Sequence, residues 1–127
     1  MRPETRAALT DRLRRFPRLV EVGVGRRTAV AGALAETCEV RATDVVDRPV
    51  PDGVAFHHDD VTDPESSVYA GADAVYALNL PPELHRPSLA VAQAADAALV
   101  FTTLGGDAPA VPARPETLPG ETLFWAD

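Results

Sequence analysis

A chain of 127 residues with 46% apolar and 24% charged residues suffices for one compact domain, and excludes both a disordered segment and a pair of separate catalytic and cofactor domains. A single cysteine, Cys38, excludes an internal disulfide framework, and no apolar run approaches the roughly 20 residues that span a bilayer, so a cytoplasmic protein is expected. The net charge of −7 is unevenly spread: residues 1–30 hold eight arginines against three acids, the remainder four arginines against sixteen acids, and there is no lysine.

Residues 3–16 read as a helix. Pro3 suits its first turn, Leu9, Leu13 and Phe16 recur at helical spacing, and Pro17 ends it. Arg12, Arg14 and Arg15 cluster at its C-terminal end, where cations complement the helix dipole. The acidic remainder argues against broad nucleic-acid binding, which leaves these arginines as a narrower contact for RNA or a protein partner. Leu19, Val20 and Val22 form a strand suited to burial on both faces, Gly23-Val24-Gly25 turns the chain, and Arg27 to Glu36 continues as a helix.

A second strand runs from Cys38 to Thr43 and ends at Asp44. A turn-rich link through Pro49, Pro51 and Gly53 leads to a third strand at Val54–Phe56, with no helix between them. Asp59, Asp60 and Asp63 follow, then a helical turn near 65–69 and a fourth strand over 73–78. Residues 83–95 read as a helix that Pro87 kinks or restarts. Ala97 to Thr103 forms a fifth strand. The proline- and glycine-rich stretch 105–120 is expected to be a long irregular loop, with an edge strand over 121–127 that could pair with another copy in a homodimer.

This alternation predicts an α/β fold: one Rossmann-like, three-layer domain with a mostly parallel sheet of about six strands, its cofactor-binding core spanning 18–104. Ligands in such sheets bind beyond the carboxyl ends of the strands, where the strand order reverses. Gly23-x-Gly25-x-x-Thr28 sits between a strand and a helix, as a dinucleotide or nucleoside site requires, and Asp44 stands where a ribose acceptor belongs. Packing of a tight turn is the competing account of those glycines.

The segment Glu21-Val22-Gly23-Val24-Gly25 resembles the first motif of class I S-adenosylmethionine-dependent methyltransferases, and the resemblance extends through Asp44, Asp60 and Asn79-Leu80-Pro81-Pro82. Val20 to Arg27 together with Pro81-Pro82-Glu83-Leu84 also looks like a small, functionally uncharacterised archaeal family with a shortened core of that type. The resemblance implies a methyltransferase-like fold and S-adenosylmethionine as cofactor, with Glu21 near its ammonium group, Asp44 at its ribose and Asp60 at its adenine. Two departures stand out. Arg26 and Arg27 replace a third glycine and either clamp an anion or block the site. Asn79, Pro81 and Pro82 resemble the Asn-Pro-Pro-aromatic motif that orients an acceptor nitrogen, but Leu80 intrudes and Glu83 replaces the aromatic residue.

No catalytic residue is evident, and no metal site is expected. His57 and His58 are adjacent in an extended segment and point to opposite faces, and His85 is the only other histidine. Two function classes stay open: a nucleoside-cofactor binding protein, in its fullest form a minimal methyltransferase of unknown acceptor, and a non-enzymatic module that uses its basic N-terminus. A nicotinamide enzyme is disfavoured by Glu21 and by the lack of a substrate domain.

Overall fold

The computed structural model describes residues 1–126. In chain order its elements are α1 (Pro3–Leu13), β1 (Arg18–Glu21), α2 (Ala29–Leu34), β2 (Glu39–Asp44), β3 (Val54–His58), α3 (Ser66–Tyr69), β4 (Ala74–Leu80), α4 (His85–Ala94), β5 (Ala98–Thr103), β6 (Arg114–Leu118) and β7 (Glu121–Ala126), with a 3-10 turn at Pro82–Leu84. The sheet has seven strands in the order β3-β2-β1-β4-β5-β7-β6. Strands β1 to β5 pair in parallel, and β7 runs antiparallel to both β5 and β6.

Side chains alternate across the sheet and feed two cores, one on each face. On one face Leu9 and Leu13 of α1 and Val30 and Leu34 of α2 pack over Leu19, Tyr76, Val100 and Leu123. On the other, Val68 and Tyr69 of α3 and Val91 and Ala92 of α4 pack over Val20, Val75, Leu99 and Phe101. The result is the expected Rossmann-like three-layer α/β sandwich. Both faces of the central strands are covered, which is why β4 is buried from Ala74 through Ala77 without a polar interruption. No helix among the described residues is long and apolar enough to cross a membrane.

The C-terminal part departs from expectation. The stretch 105–120 is not irregular throughout, because β6 forms inside it, and the sheet has seven strands where about six were expected. Prolines hid this strand. Pro115 sits in β6 opposite Phe124 of β7, and β6 is the outermost strand, where a missing N–H costs no ladder bond. The edge strand expected over 121–127 is not an edge in its described part, Glu121–Ala126, since β7 lies between β5 and β6; residue 127 lies outside the described residues. Pro87 does not kink α4. It is the third residue of the helix, within the first turn, whose N–H groups have no intrahelical acceptor.

Two devices fasten this C-terminal part. Buried His85 (0% exposed) donates from Nε2 to the Leu80 carbonyl at 2.9 Å, while its Nδ1 accepts the Ala110 N–H at 2.9 Å. That pattern places a ring proton on Nε2 and ties the 104–113 connection to the end of β4. Across the other face, Arg12 Nε donates to Glu116 Oε2 at 2.7 Å, and the Trp125 indole N–H donates to Glu116 Oε1 at 3.0 Å. The Arg12 guanidinium holds the Glu116 carboxyl below the ordinary carboxylate range. Arg15 and Arg114 each stand 5.8 Å from the centre of the Trp125 ring, so Arg12 and Arg15 are engaged in joining α1 to the β6–β7 hairpin.

Candidate functional site

Strand order reverses between β1 and β4, since β1 leads outward to β2 and β4 leads the other way to β5. Beyond the carboxyl ends of those two strands lies a cleft of about 620 Å³ walled by Glu21, Gly23, Gly25, Arg26, Arg27 and Asn79. The glycines shape it. Gly23 and Gly25 adopt φ of +68° and +61°, a left-handed region costly for residues with a Cβ. A Cβ at Gly23 would meet nothing within 4 Å: the backbone there faces open space, which packing alone does not require.

Glu21 ends β1 and is 2% exposed. Its Oε1 accepts the Tyr76 hydroxyl at 2.6 Å. Burial raises its pKa from 4.5 to about 8, the negative charge of Asp44 adds to the rise, and the Tyr76 hydroxyl opposes it. Tyr76 is itself held well above its ordinary 10, chiefly by burial and then by Glu21. At neutral pH the wall therefore carries a mostly uncharged carboxyl that a nearby cation can ionise.

Asp44 ends β2 and is 8% exposed. Its Oδ2 accepts the Gly25 N–H at 2.9 Å and its Oδ1 the Val46 N–H at 3.1 Å, so this carboxylate braces the glycine turn from behind. Arg48 Nε approaches Oδ2 at 3.4 Å yet makes no hydrogen bond and is shielded from solvent. Val45 and Val46, beside it, are among the most exposed large apolar residues. The carboxyl end of β2 thus combines an acid, a poorly satisfied cation and an apolar surface.

The remaining sequence-derived candidates scatter. Asp60 is exposed and lies outside the cleft wall. Its Oδ1 takes the Thr62 N–H at 2.9 Å and the Thr62 hydroxyl at 2.7 Å, and these bonds hold its pKa below the ordinary value. The inward-facing acid is Asp59, which accepts the Tyr69 hydroxyl at 2.6 Å and the Glu65 N–H at 2.9 Å. Arg26 and Arg27 are exposed at the rim and do not plug the cleft. Asn79 lines it, while Pro81 and Pro82 lie past its wall and start the 3-10 turn. His57 and His58 belong to β3, and the His58 ring bonds the Val45 carbonyl at 2.7 Å. Among the described residues no three histidine, cysteine, aspartate or glutamate side chains gather as a metal site would need.

A second groove of about 530 Å³ runs between α3 and α4, lined by Val61, Tyr69, Pro87, Val91 and Ala94 among others. Its lining includes no carboxylate, imidazole or guanidinium, which leaves the first cleft as the candidate site. Tyr76 and Arg48 are the site residues that sequence reasoning missed. Tyr76 had a signal: a phenol in a buried strand of small residues needs an acceptor, and Glu21 is the one acid of the neighbouring β1.

Residues 5–125 match the model of a protein family described as uncharacterised protein family UPF0146. The chain belongs to UPF0146. A UPF0146 protein of Halobacterium salinarum is 51% identical over 126 residues, covering 98% of this chain and 95% of that relative. One of Archaeoglobus fulgidus is 46% identical over 91 residues, covering 71% of this chain and 70% of the relative. Among solved structures, this UPF0146 chain resembles the magnesium protoporphyrin IX methyltransferase of Synechocystis PCC 6803 with bound SAM, at a TM-score of 0.64 and 12% identity over 95% of this chain and 76% of that one. It also resembles an RNA methyltransferase of Salinibacter ruber in complex with S-adenosyl-L-homocysteine, at a TM-score of 0.60 and 18% identity over 94% and 85% of the two chains. The UPF0146 fold is thus the Rossmann-like fold of class I methyltransferases, in an archaeal family.

Proposed function

We propose that this protein binds S-adenosylmethionine or its demethylated product in the cleft at the β1–β4 reversal, and that it is a minimal methyltransferase. The observation that carries this reading is the open space over Gly23, in a cleft bounded by a buried carboxyl. A volume of about 620 Å³ lies in the range of small-ligand sites. The residues present suit the cofactor's chemistry. Glu21 gives a cationic amino-acid end a counter-charge, the exposed backbone of Gly23 and Gly25 admits close approach, and Asp44 keeps lone pairs for ribose hydroxyls once Arg48 moves aside. Asp60, which caps its own turn outside the cleft wall, has no part in this reading. When bound, the cofactor supplies an electrophilic methyl group on a positively charged sulfur.

A nicotinamide dinucleotide fits less well, because a cationic ligand can ionise the Glu21 carboxyl and gain a counter-charge, whereas a pyrophosphate leaves that carboxyl protonated and gains none. The alternative of a binding module that uses Arg12 and Arg15 loses support from their engagement with Glu116 and Trp125. Parallel titrations of S-adenosylhomocysteine and NAD, followed by amide chemical shifts, test the reading. Saturable shifts at Gly23, Gly25 and Asp44 with the first compound alone are expected, and Asp44→Asn should weaken that binding about tenfold or more, as for loss of a charge-assisted hydrogen bond. Silence with S-adenosylhomocysteine overturns it.

A further inference from the structure

The cofactor cleft has a neighbour. A second cleft of about 450 Å³ opens beside it, shares Arg27 and Asn79 with it, and continues to Arg2, Thr5, Gly120 and Glu121. Its outer wall is built where the start of α1 meets the β6–β7 turn: the Thr5 hydroxyl donates to the Pro119 carbonyl at 2.5 Å. Gly120 adopts φ of +73°, and a Cβ there would overlap the Arg2 guanidinium. Glycine therefore lets the Arg2 side chain lie across the turn, at the mouth of the cleft.

Guanidinium groups outnumber carboxyls at these two mouths: Arg2, Arg6, Arg26 and Arg27 against Glu21 and Glu121. Arg6 and Arg26 line the first cleft and Arg27 lines both, and among the described residues none of the three has a carboxylate within ion-pair distance, whereas Arg12, Arg18, Arg41 and Arg48 each face one. Arg2 has only an exposed approach of 3.5 Å to Glu4. Of the wall carboxyls, Glu21 is tied to Tyr76 and Glu121 accepts the Thr122 N–H at 2.9 Å. In a chain of net charge −7, Arg6, Arg26 and Arg27, gathered without carboxylate partners among the described residues, repel one another until an anion joins them. Where the clefts meet, Asn79 holds a left-handed φ of +55° while its N–H is fixed to the Thr102 hydroxyl at 2.7 Å. Asparagine accepts that conformation more readily than most residues, and it carries an amide side chain to the line where the two clefts meet.

We propose that the second cleft binds a small phosphorylated molecule, its phosphate between Arg2 and Arg27 and its remainder directed toward Asn79. Two guanidinium forks match the oxygens of a dianionic phosphate better than a single carboxylate. A cleft of about 450 Å³ suits a small molecule, and the acidic body away from the two mouths gives a nucleic-acid backbone no continuous basic track. Reading this molecule as the methyl acceptor rests on the function proposed above; the anion site itself does not.

The test uses the full chain and glycerol 3-phosphate as probe, followed by backbone amide and arginine Nε shifts, with and without saturating S-adenosylhomocysteine. Saturable shifts at Arg2, Arg27 and Asn79 are expected. Arg27→Gln and Arg2→Gln should each weaken binding about tenfold with amide spectra otherwise unchanged, and Arg14→Gln, which removes the same charge at the far end of α1, should not. No saturable shift at Arg2 and Arg27, equal weakening by Arg14→Gln, or saturation by sodium sulfate at the same concentration overturns the proposal, as does tighter binding of a short RNA that shifts α1 along its length. If S-adenosylhomocysteine binds and the phosphate does not, only this proposal fails. If the phosphate binds and S-adenosylhomocysteine does not, the anion site stands and the cofactor reading falls.

Discussion

Replacing Glu21 with glutamine removes one titration from the buried centre of the protein while keeping the shape of the side chain and an oxygen for the Tyr76 hydroxyl. In the folded chain Glu21 holds its proton up to about pH 8, against an ordinary value of 4.5. The folded state therefore binds more protons than the unfolded state between those limits, and stability falls as pH rises through that window. Each pH unit costs about 1.4 kcal/mol while the difference in protonation is complete, so from pH 5.5 to 8 Glu21 alone lowers stability by roughly 3 kcal/mol. The Gln variant lacks this loss. Urea unfolding of both proteins at half-unit steps from pH 5.5 to 8.5, read by Trp125 fluorescence, gives the difference directly, since the other groups titrate alike in both. The variant should gain steadily on the parent as pH rises. Two parallel stability curves would refute the assignment of Glu21 as a buried, protonated carboxyl.

Binding of S-adenosylhomocysteine at pH 7 should release close to one proton as its ammonium group ionises Glu21. Calorimetry in phosphate and in Tris buffers should then give different apparent enthalpies, and equal values count against that contact. Arg48→Met should raise affinity for adenosine-containing ligands several-fold, because Arg48 Nε stands 3.4 Å from Asp44 without a hydrogen bond and competes for the ribose acceptor; fluorescence titration decides, and weaker binding would make Arg48 a ligand contact. His85→Leu should cost about 2 to 3 kcal/mol by leaving the buried Leu80 carbonyl unpaired, and should expose residues 104–113 to limited proteolysis. An uncut loop in that variant would show that other contacts hold it.

The central architecture was legible because parallel strands buried on both faces leave short apolar runs bounded by turn residues, as at Leu19–Val22 and Ala98–Thr103. The Gly23–Gly25 turn and Asp44 were legible for the same reason: they lie where the chain leaves a strand. Strand β6 was not, since Pro112, Pro115 and the surrounding glycines carry the composition of a loop, and only its outer position in the sheet makes Pro115 tolerable. Long-range partners were equally hidden. Glu21 meets Tyr76 at 55 positions' remove, and nothing local marks Arg48 as the residue over Asp44. Among the acids after β3, sequence reasoning singled out Asp60, whereas the fold turns Asp59 inward and leaves Asp60 capping its own turn.

The ties between α1 and the β6–β7 hairpin join residues 104 and 114 positions apart. Contacts that close so much chain are entropically costly and are favoured late, after the β1–β4–β5 centre exists to align their ends. The same ties form the outer wall of the Arg2–Gly120 cleft. If that wall forms late, a ligand seated there should slow unfolding more than it speeds folding, which stopped-flow measurements with and without the ligand would read.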